Sequence, residues 1–148
     1  VEGELGVLGP RGREEVFELT SPDEAEIFVR ETGVDSLAVA LGNIHAAYGE
    51  KVAINLGHLK TIHDRVGIPI VLHGGTGVSD EDIREAIRLG VSKVNIATEW
   101  RRATLDHLRR RLSDRDYNDF FGLMAEVREV IASVVRRKIE LFGSAGRA

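Results

Sequence analysis

An α/β fold of parallel βα units, enough for half of a TIM (β/α)8 barrel, is what this sequence predicts. Two observations lead there. Short apolar runs of strand character alternate with segments at helical spacing, which is how a buried parallel sheet with covering helices reads in sequence. A complete barrel takes about 250 residues, so 148 residues hold about half of one plus a C-terminal helix. An open doubly wound sheet is the structural alternative.

The strands are expected near 1–8, 36–42, 69–73 and 93–97. Val1 to Leu8 alternates apolar with polar or small residues, as a strand does. Residues 20–33 read as a helix with its punctuation in place: Ser21 to cap, Pro22 at the first position, Glu24 to complete a capping box and Gly33 to end it. Ser36 to Leu41 is an apolar run closed by Gly42. Leu56, Leu59, Ile62 and Val66 fall at helical spacing, and Pro69 to Leu72 is a short buried strand. Ser79 caps a helix whose inner face is Ile83, Ala86 and Ile87, closed by Gly90. Two helices, 98–112 and 121–142, finish the chain. The chain opens on Val1 in an apolar-acidic run and reads as a piece of a longer one, a single half-barrel domain over 1–148.

Composition narrows the function classes. Twenty basic against 24 acidic residues, a formal charge of −4, give no reason to expect a nucleic-acid or membrane-surface partner. No apolar run is long enough for a spanning helix, and no signal-peptide pattern opens the chain. The absence of cysteine removes disulfides and thiolate metal sites and fits a reducing, cytoplasmic setting.

In such folds the chemistry lies on the loops after the strands. One strand runs into Gly42-Asn43-Ile44-His45, the next into His73-Gly74-Gly75-Thr76-Gly77, the last into Asn95-Ile96-Ala97-Thr98. Two histidines on two strand ends can converge on one metal ion. The glycines after His73 leave backbone N–H groups open, and the helix starting near Ser79 points its N-terminus the same way, which suits a phosphate. Taken singly, each signal has a plainer reading, a hydrogen-bonded rim histidine or an ordinary Gly-rich turn; their coincidence on successive strand ends carries the argument.

The segments VEGELG, TSPDEAEIFV, TGVDSLAVALGNIHAAY, IPIVLHGGTGVSDEDIREAIRLGVSKVNIATEW and KIELFGSAGRA resemble, in that order, the class II fructose- and tagatose-bisphosphate aldolases. The resemblance covers nearly the whole chain and implies the C-terminal half of the barrel. It implies a zinc-assisted lyase that cleaves a ketose 1,6-bisphosphate to dihydroxyacetone phosphate and glyceraldehyde 3-phosphate in carbohydrate metabolism. His45 and His73 would be two of three zinc ligands. Ala46, Gly74, Gly75, Thr76, Asn95, Ile96, Ala97 and Thr98 would hold the substrate phosphate, with a monovalent cation as a further cofactor. Glu4 matches a carboxylate near the metal, and Glu14 or Glu15, on a loop over 9–20, would help proton transfer. The family's third histidine and its acid/base aspartate form an Asp-His pair on an earlier strand, and no such strand precedes Val1. Ala46 stands where the family has glycine, and Pro10 interrupts the usual Gly-Gly.

The remaining polar groups read as structure. Asp106-His107 lies within a helical pattern and reads as an exposed face, His58 and His63 as outer surface groups, and the arginines at 101, 102, 109, 110 and 111 as a solvated, ion-paired face. Phe120, Phe121 and Leu141 are expected to pack the last helices onto the barrel wall. The open strand edges and an apolar inner face call for a partner, either a second copy or the missing half. The rival to an aldolase half is a non-catalytic half-barrel that binds phosphate and associates with another chain.

Overall fold

The computed structural model describes residues 1–6, 19–42 and 51–147. They fall into two compact units, Val1–Ile96 and Ala97–Ala148. The first holds strands β1 (Glu2–Leu5), β2 (Ser36–Val39), β3 (Ile70–Leu72) and β4 (Val91–Val94), with helices α1 (Pro22–Thr32), α2 (Leu56–Val66) and α3 (Asp80–Arg88) between them. All strands pair in parallel, in the order β1-β2-β3-β4. This is the α/β pattern of half a (β/α)8 barrel, and it brings every C-terminal strand end to one rim.

The helices end where the backbone chemistry demands. Gly33 and Gly67 close α1 and α2 at φ 65° and 64°, a left-handed turn that glycine takes without a Cβ penalty. Asn55 Oδ1 accepts the His58 N–H at 2.9 Å, and Ser79 Oγ accepts the Asp82 N–H at 3.0 Å. The capping box expected at Ser21 does not form, since its side chain makes no cap hydrogen bond. The first turn of α1 relies instead on Pro22, which has no N–H to satisfy, and on Asp23 and Glu24 against the helix dipole. The last strand lies two residues earlier than 93–97, because Ile70 pairs with Val91 immediately after the Gly90 turn.

Register assigns each residue a face. Gly3, Leu37, Ile70 and Val91 align on the helix-covered side, where a Cβ on Gly3 would lie 2.7 Å from the Phe28 ring of α1. The other face carries Glu2 and Ser36, then the row Glu4, Ala38, Val71 and Lys93. The expectation of an apolar inner face is therefore corrected: it is mixed, with three charged groups. Lys93 Nζ meets Glu2 Oε2 at 2.7 Å, joining the first strand to the last. In a flat sheet those strands would stand about 14 Å apart, so the sheet curves toward this face.

In the second unit, α4 (Thr98–Arg111) and α5 (Phe120–Leu141) pack through Lys138–Glu99 at 2.7 Å and His107–Glu126 at 2.9 Å. Leu123 and Leu141, about five turns apart, share the buried face of α5, whereas Phe120 and Phe121 are 63% and 85% exposed. Two residues from Leu123 on a helix is nearly the opposite side, so Phe121 cannot join that face; the two rings meet each other edge-on at 5.7 Å. Among the described residues no helix is long and apolar enough to cross a membrane.

One buried residue joins the ends of β1 and β2. Thr20 Oγ1 donates to the Leu5 carbonyl at 2.7 Å and accepts the Ala40 N–H at 2.8 Å, while Thr20 N–H donates to the Ala40 carbonyl at 3.1 Å. Replacing Thr20 with valine keeps the shape and strands both groups, so Thr20→Val should lose about 2–3 kcal/mol, read as a lower denaturation midpoint. Thr20→Ser, which keeps the hydroxyl, should lose less.

Candidate active site at the sheet rim

The rim is assembled by backbone groups that continue the sheet beyond its strands. Asn95 N–H donates to the Leu72 carbonyl at 2.9 Å, extending the β3–β4 pairing by one more link. That link sets Asn95 beside His73, with its amide nitrogen 3.4 Å from Nδ1 and 3.3 Å from Nε2. An amide N–H donates, so it engages whichever ring nitrogen lacks a proton, the same lone pair that a metal ion takes. His73 is half-buried at the end of β3.

The glycine loop after His73 is shaped by β4. A Cβ on Gly75 would lie 2.8 Å from Val94 Cγ1 and 2.9 Å from Ile96 Cδ1, so only glycine lets the loop settle there. Gly74 and Gly77 take φ of 64° and 90°, and Thr76 is buried. The loop is also tied to the segment returning after residue 50: Val52 N–H donates to the Gly77 carbonyl at 2.9 Å, and Asn55 N–H to the Leu41 carbonyl at 2.9 Å. The rim loops of β2 and β3 are thus joined in this structure.

The N-terminus of α3 is not open to an anion in the way its position suggested. Ser79 already takes the Asp82 N–H, and Asp80, Glu81 and Asp82 put three carboxylates in the first turn. Their charges match the helix dipole and repel a phosphate. His73, Gly74, Gly75, Thr76, Asn95 and Ile96 belong to the first unit. Ala97 and Thr98 open the second, where α4 begins at Thr98 and the Arg101 N–H donates to the Ala97 carbonyl at 3.3 Å. Glu4 stands exposed on the inner face of β1. His45, Ala46, Glu14 and Glu15 lie outside the described residues. Among the described residues no three His, Asp or Glu side chains cluster as a metal site.

Several groups read as surface features have structural partners. His58 Nε2 donates to the Thr20 carbonyl at 2.8 Å, fixing α2 to the same residue that joins β1 and β2. The His63 ring lies against Gly90, where a Cβ would come within 2.3 Å of it. His107 is not on an exposed face, since it is half-buried against Glu126 in the α4–α5 contact. Asp106 sits between Arg102 and Arg109: burial works against its charge, but the two guanidiniums hold its carboxyl below the usual carboxylate range. Of the α4 arginines, Arg102 and Arg109 pair with Asp106 and Arg111 pairs with Glu126 at 2.8 Å, while Arg101 lies over the Trp100 ring. The reading from sequence missed Thr20, which carries no motif beyond its place before Ser21-Pro22.

Comparison with known proteins supplies the family. The model for fructose-bisphosphate aldolase class-II matches residues 1–147. The chain belongs to the class-II fructose-bisphosphate aldolase family. Within that family it is 39% identical, over its full length, to the fructose-bisphosphate aldolase of Geobacillus stearothermophilus, of which it covers 53%. It is 41% identical to the uncharacterized protein YdjI of Escherichia coli K12, again covering 53%. Among solved structures, the YdjI aldolase superposes with a TM-score of 0.79 at 39% identity, 99% of this chain and 49% of that one. A putative fructose-1,6-bisphosphate aldolase from Coccidioides immitis superposes with a TM-score of 0.85 at 29% identity, 99% and 53%. The chain spans about half the length of the curated aldolase-family relatives it matches.

The rim geometry makes its own prediction. Gly75→Ala forces a methyl group into Val94 and Ile96 and should cost about 1–3 kcal/mol, measured by chemical denaturation. Trimming Ile96 to alanine in the same chain should return part of that loss.

Proposed function

We propose that this chain is the C-terminal part of a metal-dependent ketose-bisphosphate aldolase. One observation carries the reading: His73 ends β3 beside Asn95 of the adjoining strand end, with the Gly75–Thr76 loop directly following it. The donor chemistry fits zinc at the one ligand that the structure describes, an imidazole at the rim with a carboxylate, Glu4, on the same face of the sheet. His73 and His45 would hold the ion, and a third histidine would come from the part of the protein that precedes this chain. When bound, zinc supplies Lewis acidity to the ketose carbonyl.

The other residues bind and orient. The amides of Gly74, Gly75 and Thr76, with Asn95, Ile96, Ala97 and Thr98 and the loop at Ala46, would grip the substrate phosphate and so fix the sugar's reacting carbons; a monovalent cation could share that grip. The Asn95 amide contact to the His73 ring would give way when the ion takes that lone pair. Cleavage breaks the C3–C4 bond as the C4 hydroxyl loses its proton, and the dihydroxyacetone phosphate half regains one at C3. The principal group for that exchange would be an aspartate outside this chain, with Glu14 or Glu15 assisting on the loop. The active form would need the preceding half-barrel or a second copy, because β1 and β4 are the two edge strands of the sheet among the described residues.

A coupled cleavage assay with fructose and tagatose 1,6-bisphosphates tests this on the complete protein. His73→Ala should lower turnover by at least about 100-fold, and the 148-residue chain alone should be inactive and associated in light scattering. Unchanged turnover in His73→Ala would exclude the metal role. Phosphate binding without cleavage of either sugar would favour the non-catalytic reading.

A further inference from the structure

Three strand ends of the rim are joined by one run of hydrogen bonds that passes through the first turn of α2. Where β1 and β2 end, Thr20 N–H donates to the Ala40 carbonyl at 3.1 Å, and Leu41 follows Ala40 in the chain. The Leu41 carbonyl accepts Asn55 N–H at 2.9 Å, and the Asn55 side chain caps α2 by accepting His58 N–H at 2.9 Å. His58 Nε2 returns to the Thr20 carbonyl at 2.8 Å and closes the ring. A short segment leads back from Asn55 to Val52, whose N–H donates to the Gly77 carbonyl at 2.9 Å in the glycine loop after β3.

The ring has little slack. Thr20 is 3% exposed, and a Cβ on Gly6 would lie 2.7 Å from its Oγ1 and 2.9 Å from Ala40 Cβ. Leu59 and Ile62 bury the inner side of α2, but apolar packing is non-directional and does not fix a helix along its axis. The His58 bond fixes it, at the end of α2 that meets the rim. A shift of this first turn would carry Asn55 and Val52 with it, and so would reach the glycine loop. We propose that His58 is a positioning residue for that loop: its bond to Thr20 holds the 52–55 segment and, through Val52, the place of Gly77 and the amides before it. The inference rests on the phosphate role given to the glycine loop above.

Amide hydrogen exchange and substrate kinetics on the complete protein test it with two variants. His58→Leu removes the donor, and His58→Gln keeps an amide N–H at the same reach. In His58→Leu, exchange at the Thr20, Val52 and Asn55 amides should quicken about fivefold, with the Asn95 amide on Leu72 unchanged. KM for the cleaved bisphosphate should rise about fivefold with kcat held, and His58→Gln should match the parent in both measurements. Equal quickening at all four amides is general destabilisation and overturns the proposal, as does quickening at Thr20 alone or an unchanged KM. If the parent cleaves neither bisphosphate, the aldolase reading fails, and affinity for inorganic phosphate replaces KM in the same comparison. A parent that binds no phosphate either overturns the proposal. If His58→Leu does not fold, phosphate added to the parent decides: it should slow the Val52, Asn55 and Thr20 amides together, and slowing confined to Val52 overturns the proposal.

Discussion

Backbone N–H and C=O groups run out of ladder partners where parallel strands end, and buried ones cannot be left unpaired. This requirement shapes the rim of the sheet. Thr20 meets it for β1 and β2 with one hydroxyl that donates to Leu5 and accepts from Ala40. Asn95 meets it for β3 by donating to Leu72, and Val52 and Asn55 meet it for the Gly77 and Leu41 carbonyls. Each of these bonds also positions something. The Thr20 carbonyl takes His58 and so sets α2, and the Asn95 link sets an amide against the ring of His73. The candidate site follows from how the sheet completes its own hydrogen bonding.

The inner face shows a second constraint. A half-barrel with a uniformly apolar concave side would hold together only when covered. This one instead places Glu2, Glu4 and Lys93 among Ala38 and Val71, and pairs Lys93 with Glu2. Charge on that face lowers the cost of wetting it and gives the sheet a connection between its outermost strands.

The fold class was legible in the sequence because its signals are local. Apolar runs such as Ile70 to Leu72 and caps such as Ser79 depend on neighbours a few residues away. The family was legible for a related reason, since the LHGGTG and KVNIAT blocks carry conformations that few other residues allow, Gly75 against Val94 and Ile96 among them. What sequence could not show depends on distant partners. Thr20 reads as a residue ahead of a helix, and its bonds to positions 5 and 40 exist only once the strands pair. Lys93 reads as the first residue of a strand, and its partner is 91 positions away. Phe120 and Phe121 read as core by composition alone, which ignores that Leu123 and Leu141 already define the buried face of α5.

The central claim is that the rim beside His73 and Asn95 is a metal site. Crystals of the complete protein grown with zinc, with anomalous scattering recorded at the zinc edge, test it directly. The account predicts an anomalous peak about 2.0–2.1 Å from a ring nitrogen of His73. A peak at His58, His63 or the His107–Glu126 pair, with none at His73, would contradict it.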